Sequence, residues 1–124
     1  MTWFAASIIM TTRPVDQSPG PILTYENVVL IEAKSSDEAF SKATEYANAA
    51  IVVDDSLAVD DKPVIESFAG IRNLINISNP HPLDLDHAPP TTGTEISYSC
   101  FEVANEQDLA KLVKGEDVVI RYIE

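Results

Sequence analysis

The densest group of metal-ligating residue types is His81-Pro82-Leu83-Asp84-Leu85-Asp86-His87. Two imidazoles and two carboxylates bind a divalent ion when the backbone holds them in a fixed geometry. The spacing here matches no tetrahedral motif, and Pro80, Pro82, Pro89 and Pro90 break the surrounding segment. A solvated polar loop without metal is expected. Asp54-Asp55 and Asp60-Asp61 raise the question of calcium. That interval lacks the alternating oxygen ligands, central glycine and terminal glutamate of a calcium-binding loop.

Covalent chemistry has equally little support. Cys100 is the only cysteine, so no intrachain disulfide or thiolate cluster forms, and a structural thiol is the expected role. Nucleophilic catalysis needs a nucleophile, a base and an orienting group within reach, and no Gly-x-Ser-x-Gly elbow is present. Glu95 and Glu102 share one predicted strand, but paired carboxylates arise by chance in so acidic a chain. The four glycines are scattered, which excludes a glycine-rich phosphate loop. Trp3 and Phe4 are expected to pack in the core rather than to form an exposed stacking site. No catalytic residue, no metal and no cofactor are predicted, and the chain is not expected to be an enzyme.

The charge is the strongest functional signal. Twenty Asp and Glu against eight Lys and Arg give a net charge of -12 over 124 residues. Such a surface repels nucleic acid and anionic membranes, and it attracts basic partners at low salt. Hydrophobic content of 45% against 23% charged residues is that of a globular chain, so the acidity does not imply disorder. No apolar run approaches the roughly 20 residues that span a bilayer. Met1-Thr2-Trp3-Phe4 does not resemble the start of a secretory signal. A cytoplasmic protein is expected.

The elements that must position any site follow from local patterns. Trp3 to Thr11 and Thr24 to Ala33 read as strands, separated by a loop from Arg13 to Pro21 that holds three prolines. Ser35 and Glu38 have capping-box spacing at the start of a helix running from Asp37 to about Ala50. Its stripe of Ala39, Ala43, Ala47 and Ala50 suits close packing on a sheet. Ile51 to Lys62 reads as an acidic connection, and a third strand is expected from Ser67 onward within Val64 to Ile77. There Gly70 suggests a bulge or a close backbone approach.

A long loop from Ser78 to Thr92 leads to a strand over Glu95 to Val103. Asn105 caps a second helix, Gly115 ends it, and Asp117 to Ile123 forms a last strand. The predicted fold is one α+β domain over residues 1–124. It is a two-layer sandwich with a mostly antiparallel sheet of about five strands and two helices on one face, in the order β-β-α-β-β-α-β.

Four segments in order carry a family likeness: Trp3-Phe4-Ala5-Ala6; Leu30-Ile31-Glu32-Ala33 with Asp37-Glu38-Ala39 and Ala43; Phe68-Ala69-Gly70-Ile71-Arg72-Asn73-Leu74; and Gly93-Thr94-Glu95-Ile96 with Tyr98-Ser99. Over roughly residues 3 to 101 the chain resembles the small, mostly bacterial proteins catalogued as domain of unknown function 4288. That family has no established enzymatic role, so the resemblance bears on the fold rather than on an activity. By analogy, some small acidic bacterial proteins of this size are immunity proteins that neutralise a cognate toxin.

The expected function is therefore non-catalytic binding of a basic protein, in its narrowest form a toxin. Asp54, Asp55, Asp60, Asp61, Asp84 and Asp86 would meet the partner from loops. Two other readings stay open. One is a small-molecule or enzymatic pocket around Glu95, Tyr98 and Arg72. The other is a structural subunit of a homodimer or larger homo-oligomer, joined through an exposed sheet edge.

Overall fold

The computed structural model describes residues 2–16, 19–51, 58–59, 62–77 and 91–123. Its elements are β1 (Thr2–Pro14), β2 (Ile22–Ala33), α1 (Ser36–Ala49), β3 (Ala58–Val59), β4 (Lys62–Ile77), β5 (Glu95–Val103), α2 (Glu106–Val113) and β6 (Arg121–Tyr122). The strands form one antiparallel sheet in the order β3-β4-β1-β2-β5-β6.

β1 lies at the centre because it is apolar on both faces. Phe4, Ala6, Ile8 and Met10 point to one side and Ile9 to the other, and all are buried. Both helices start where expected. Ser35 Oγ accepts from the Glu38 backbone N–H, and Asn105 Oδ1 accepts from the Asp108 N–H at 2.8 Å. Each such cap contributes about 1 kcal/mol. In the first turn of α1, hydrogen bonding to Lys42 lowers the Glu38 pKa, and the two side chains form an i, i+4 ion pair.

The layering differs from the predicted sandwich. α1 buries Ala39, Ala43 and Ala47 against the Phe4–Ile8 side of β1 and against Val29, Ile31 and Ala33 of β2. α2 buries Leu109 and Leu112 against Ile9, Ile22, Phe101 and Val103, on the opposite side. The sheet is thus the middle layer, with one helix on each face. The apolar stripe of a helix fixes which of its own sides is buried, whereas the side of the sheet it reaches depends on how the preceding chain crosses the sheet.

Strand boundaries also move, and one strand is added. β1 runs on to Pro14, β4 begins at Lys62, and β3 adds a sixth, two-residue strand where only a connection was expected. The last strand is confined to Arg121–Tyr122, because Val118 and Ile120 pack against the α2-side core instead of continuing a ladder.

Two register shifts mark the β1–β4 pairing, between Ser7 and Ile8 and between Ile9 and Met10. They flank Ile9↔Gly70 and bring β4 close under α2. Arg72 lies in the first irregular step. Its guanidinium donates to the carbonyls of Leu112 (2.5 Å) and Glu116 (3.2 Å) at the C-terminal end of α2. At the other end of that helix, Arg13 of β1 pairs with Glu106. No helix of the described residues is long and apolar enough to cross a membrane.

Candidate functional site

α1 covers only part of its face of the sheet. Beyond it, where β1, β2, β4 and β5 run side by side, Met10, Tyr25, Asn27, Glu66 and Tyr98 line a recess of about 190 Å³. The antiparallel register assembles it. Met10 opposes Tyr25, Tyr25 opposes Cys100, and Asn27 opposes Tyr98. Side chains opposite one another project from the same face. Tyr25 and Asn27 are two residues apart on β2, as Tyr98 and Cys100 are on β5, so each pair also shares that face.

The two tyrosine rings lie 5.8 Å apart between centroids and are tilted by 33°. Burial pushes the Tyr25 hydroxyl above the ordinary phenol pKa. Cys100 and the Glu66 charge add to this, while a hydrogen bond with Thr12 opposes it. Burial is also the main cause for Tyr98, with Cys100, Tyr25 and Glu95 adding, and its pKa is pushed up to about 12. Both phenols therefore keep their protons at neutral pH. They offer O–H donors and ring faces rather than a base.

The acceptors of the recess are carboxylate and amide oxygens. Asn27 Oδ1 is buried and accepts no hydrogen bond within the described structure. Glu66 forms no ion pair among the described residues. By contrast, Glu102 of β5 is neutralised by Arg121 at 2.7 Å. The recess thus combines an aromatic wall, a carboxylate without an ion-pair partner among the described residues and a negative local field, above a buried amide oxygen.

The predicted pocket around Glu95, Tyr98 and Arg72 does not form as one site. Tyr98 lines the recess, and Glu95 acts on its charge state from the same strand. Arg72 instead caps α2 on the other side of the sheet. Asp54, Asp55, Asp60, Asp61, Asp84 and Asp86 lie outside the described residues, as do His81 and His87. Among the described residues, no group of three or more His, Cys, Asp or Glu is placed to hold a metal ion.

The sequence reading missed Met10, Tyr25, Asn27 and Glu66. The available signal was Tyr25-x-Asn27, a polar pair at strand spacing at the end of an otherwise apolar strand.

A larger hollow of about 550 Å³ lies by the β1–β2 connection, lined by Arg13, Pro19, Pro21, Ile22, Asn105 and Glu106 among others. Its charged side chains are already paired with each other, so it offers less unspent chemistry than the smaller recess.

The chain belongs to the family described as domain of unknown function (DUF4288), whose model matches residues 3–88. The match runs from β1 through β4, with β2, α1 and β3 between, and ends before β5. No curated protein and no solved structure matches the chain.

Proposed function

We propose that this chain is a non-catalytic acidic domain that binds a basic protein. The observation that carries the reading is a net charge of -12 on a domain with two packed cores. An ordered acidic surface steers a basic partner into encounter without needing a catalytic group. In its narrowest form the domain is an immunity protein of a bacterial cytoplasm. Its carboxylates would then occupy the positions that nucleic-acid phosphates take on the basic surface of a toxin. Asp54, Asp55, Asp60, Asp61, Asp84 and Asp86 are the residues assigned to that contact.

The test is to cross-link and identify partners in the native cell, then to measure association rates with the purified partner. A basic protein is expected, binding more slowly as salt rises from ~50 to ~500 mM, while the Debye length falls from over ~10 Å to about 4 Å. Replacing Asp54, Asp55, Asp60 and Asp61 with Asn should slow association in the same way. An acidic or neutral partner, or rates indifferent to salt and to the fourfold change, would overturn the reading.

A further inference from the structure

The recess beside α1 has the chemistry to hold a cation. Its volume of about 190 Å³ is below the roughly 300–1,000 Å³ of pockets that enclose whole small-molecule ligands. It matches the head of a single side chain. The Tyr98 side is open, with 56% of that residue exposed, so a ring face is available from solvent. Glu66 lines the recess and forms no ion pair among the described residues, so its carboxylate is the acceptor on offer, while Asn27 Oδ1 lies buried beneath. Anions are disfavoured, because the charges of Glu66 and Glu95 act on the two phenols and both phenols stay protonated.

Among biological cations, a guanidinium fits this combination best. It is planar and stacks on an aromatic face, and it is weakly hydrated. Its N–H donors fan out in one plane and meet the two oxygens of a carboxylate together. An ammonium is a compact, strongly hydrated point charge that gains less from the ring.

We propose that the recess is a guanidinium pocket that receives one arginine side chain of the basic partner, stacked on Tyr98 and paired with the Glu66 carboxylate. The proposal rests on the reading of the chain as a domain that captures a basic protein. It adds a fixed anchoring point to what is otherwise diffuse attraction.

The test uses capped octa-arginine, octa-lysine and octa-citrulline peptides at ~150 mM salt. Affinities are measured by calorimetry for the full chain and four variants. Wild type should bind octa-arginine more tightly than octa-lysine, and octa-citrulline not measurably. Tyr98→Ala should weaken octa-arginine binding by about three- to thirtyfold, whereas Tyr98→Phe, which keeps the ring, should stay within about twofold. Glu66→Gln should weaken binding by at least about threefold. Asp117→Asn removes the same charge from an exposed site away from the recess and should cost less than about twofold.

N-acetyl-arginine methylamide, a single guanidinium on a neutral backbone, should shift the Tyr98 ring resonances at millimolar concentration. If Tyr98→Ala and Glu66→Gln behave like Asp117→Asn, the pocket is refuted while capture by diffuse charge survives. Equal binding of octa-lysine and octa-arginine refutes the guanidinium. Saturation by the monomeric compound at micromolar concentration refutes the partner's arginine as occupant and assigns the recess to a free small molecule. If no cationic peptide binds wild type, both this proposal and the reading beneath it fail.

Discussion

A Cβ built on Gly70 would come within 2.3 Å of Val113 Cγ1. Strand β4 therefore touches α2 at a position where no larger residue fits. Gly70 sits between the two register shifts of the β1–β4 ladder, at a φ of 157°. The close approach lets Val113 join the α2-side core with Ala69, Ile9 and Phe101. Gly70→Ala should push the helix outward and destabilise the fold by about 1–3 kcal/mol, as overpacking does in cores generally. Urea denaturation of the variant checks this, and an unchanged midpoint would show that α2 yields freely.

Arg72 holds the other end of the same contact. Its hydrogen bonds to the Leu112 and Glu116 carbonyls place a cation at the negative end of α2. Arg72→Ala should cost about 1.5–3 kcal/mol, the range for hydrogen bonds to a charged group. Hydrogen exchange should localise the loss to Leu112 through Glu116. A uniform loss across the sheet would contradict the capping role.

On the other face, Ala43 is fully buried between α1 and the sheet. Ala43→Glu should lower stability by several kcal/mol, since the site offers a carboxylate no partner among its apolar neighbours. Unchanged thermal stability would refute the packing of α1 described above.

These two interfaces show what local pattern reveals and where it stops. The alanine stripe, the caps at Ser35 and Asn105, and the demand for glycine at position 70 were all legible. The stripe and the caps are set by residues within a turn or two of one another, and Gly70 stood out because a glycine inside a strand marks a bulge or a close approach even when the partner, here Val113, is distant in sequence. The face of the sheet that α2 covers was not legible, because it depends on chain crossing rather than on periodicity. The recess was not legible either. Met10, Tyr25, Glu66 and Tyr98 come from four strands, and only the register brings them together. Tyr98 was singled out from the sequence, but it was grouped with Arg72, which the two bulges and α2 draw to the opposite face.

The tyrosine pair gives a pH signature. With the folded pKa of Tyr98 raised to about 12 from 10.0, and that of Tyr25 also raised, the folded state holds protons that the unfolded state releases first. Stability from this source is complete below pH 10 and is lost as pH rises through the folded values. Because Tyr98 is 56% exposed, solvent screens much of the effect, and the loss should be modest. Spectrophotometric titration of the phenolates should show a component that titrates above the ordinary tyrosine range and that Tyr98→Phe removes. Survival of that component in the variant would assign it elsewhere.

The acidity itself has a measurable cost to the fold. Twelve uncompensated negative charges on 124 residues repel one another, and screening relieves that repulsion. Raising salt from ~0.1 to ~1 M shortens the Debye length from about 10 Å to about 3 Å, so the melting temperature should rise with sodium chloride. Replacing Asp54, Asp55, Asp60 and Asp61 with Asn removes four of these charges from two adjacent pairs. The variant should melt slightly higher than wild type at low salt, by an amount worth no more than about 1 kcal/mol, and the difference should vanish at high salt. Thermal melts of both proteins across the salt series check this. A variant that melts lower than wild type at low salt would show that the aspartates accept hydrogen bonds or ion pairs that hold the fold. Their loss would then be structural, and slower association with a basic partner could not be credited to charge alone. If the variant melts higher, any slowing of association measures steering directly, because the fold has been kept and only the field has changed.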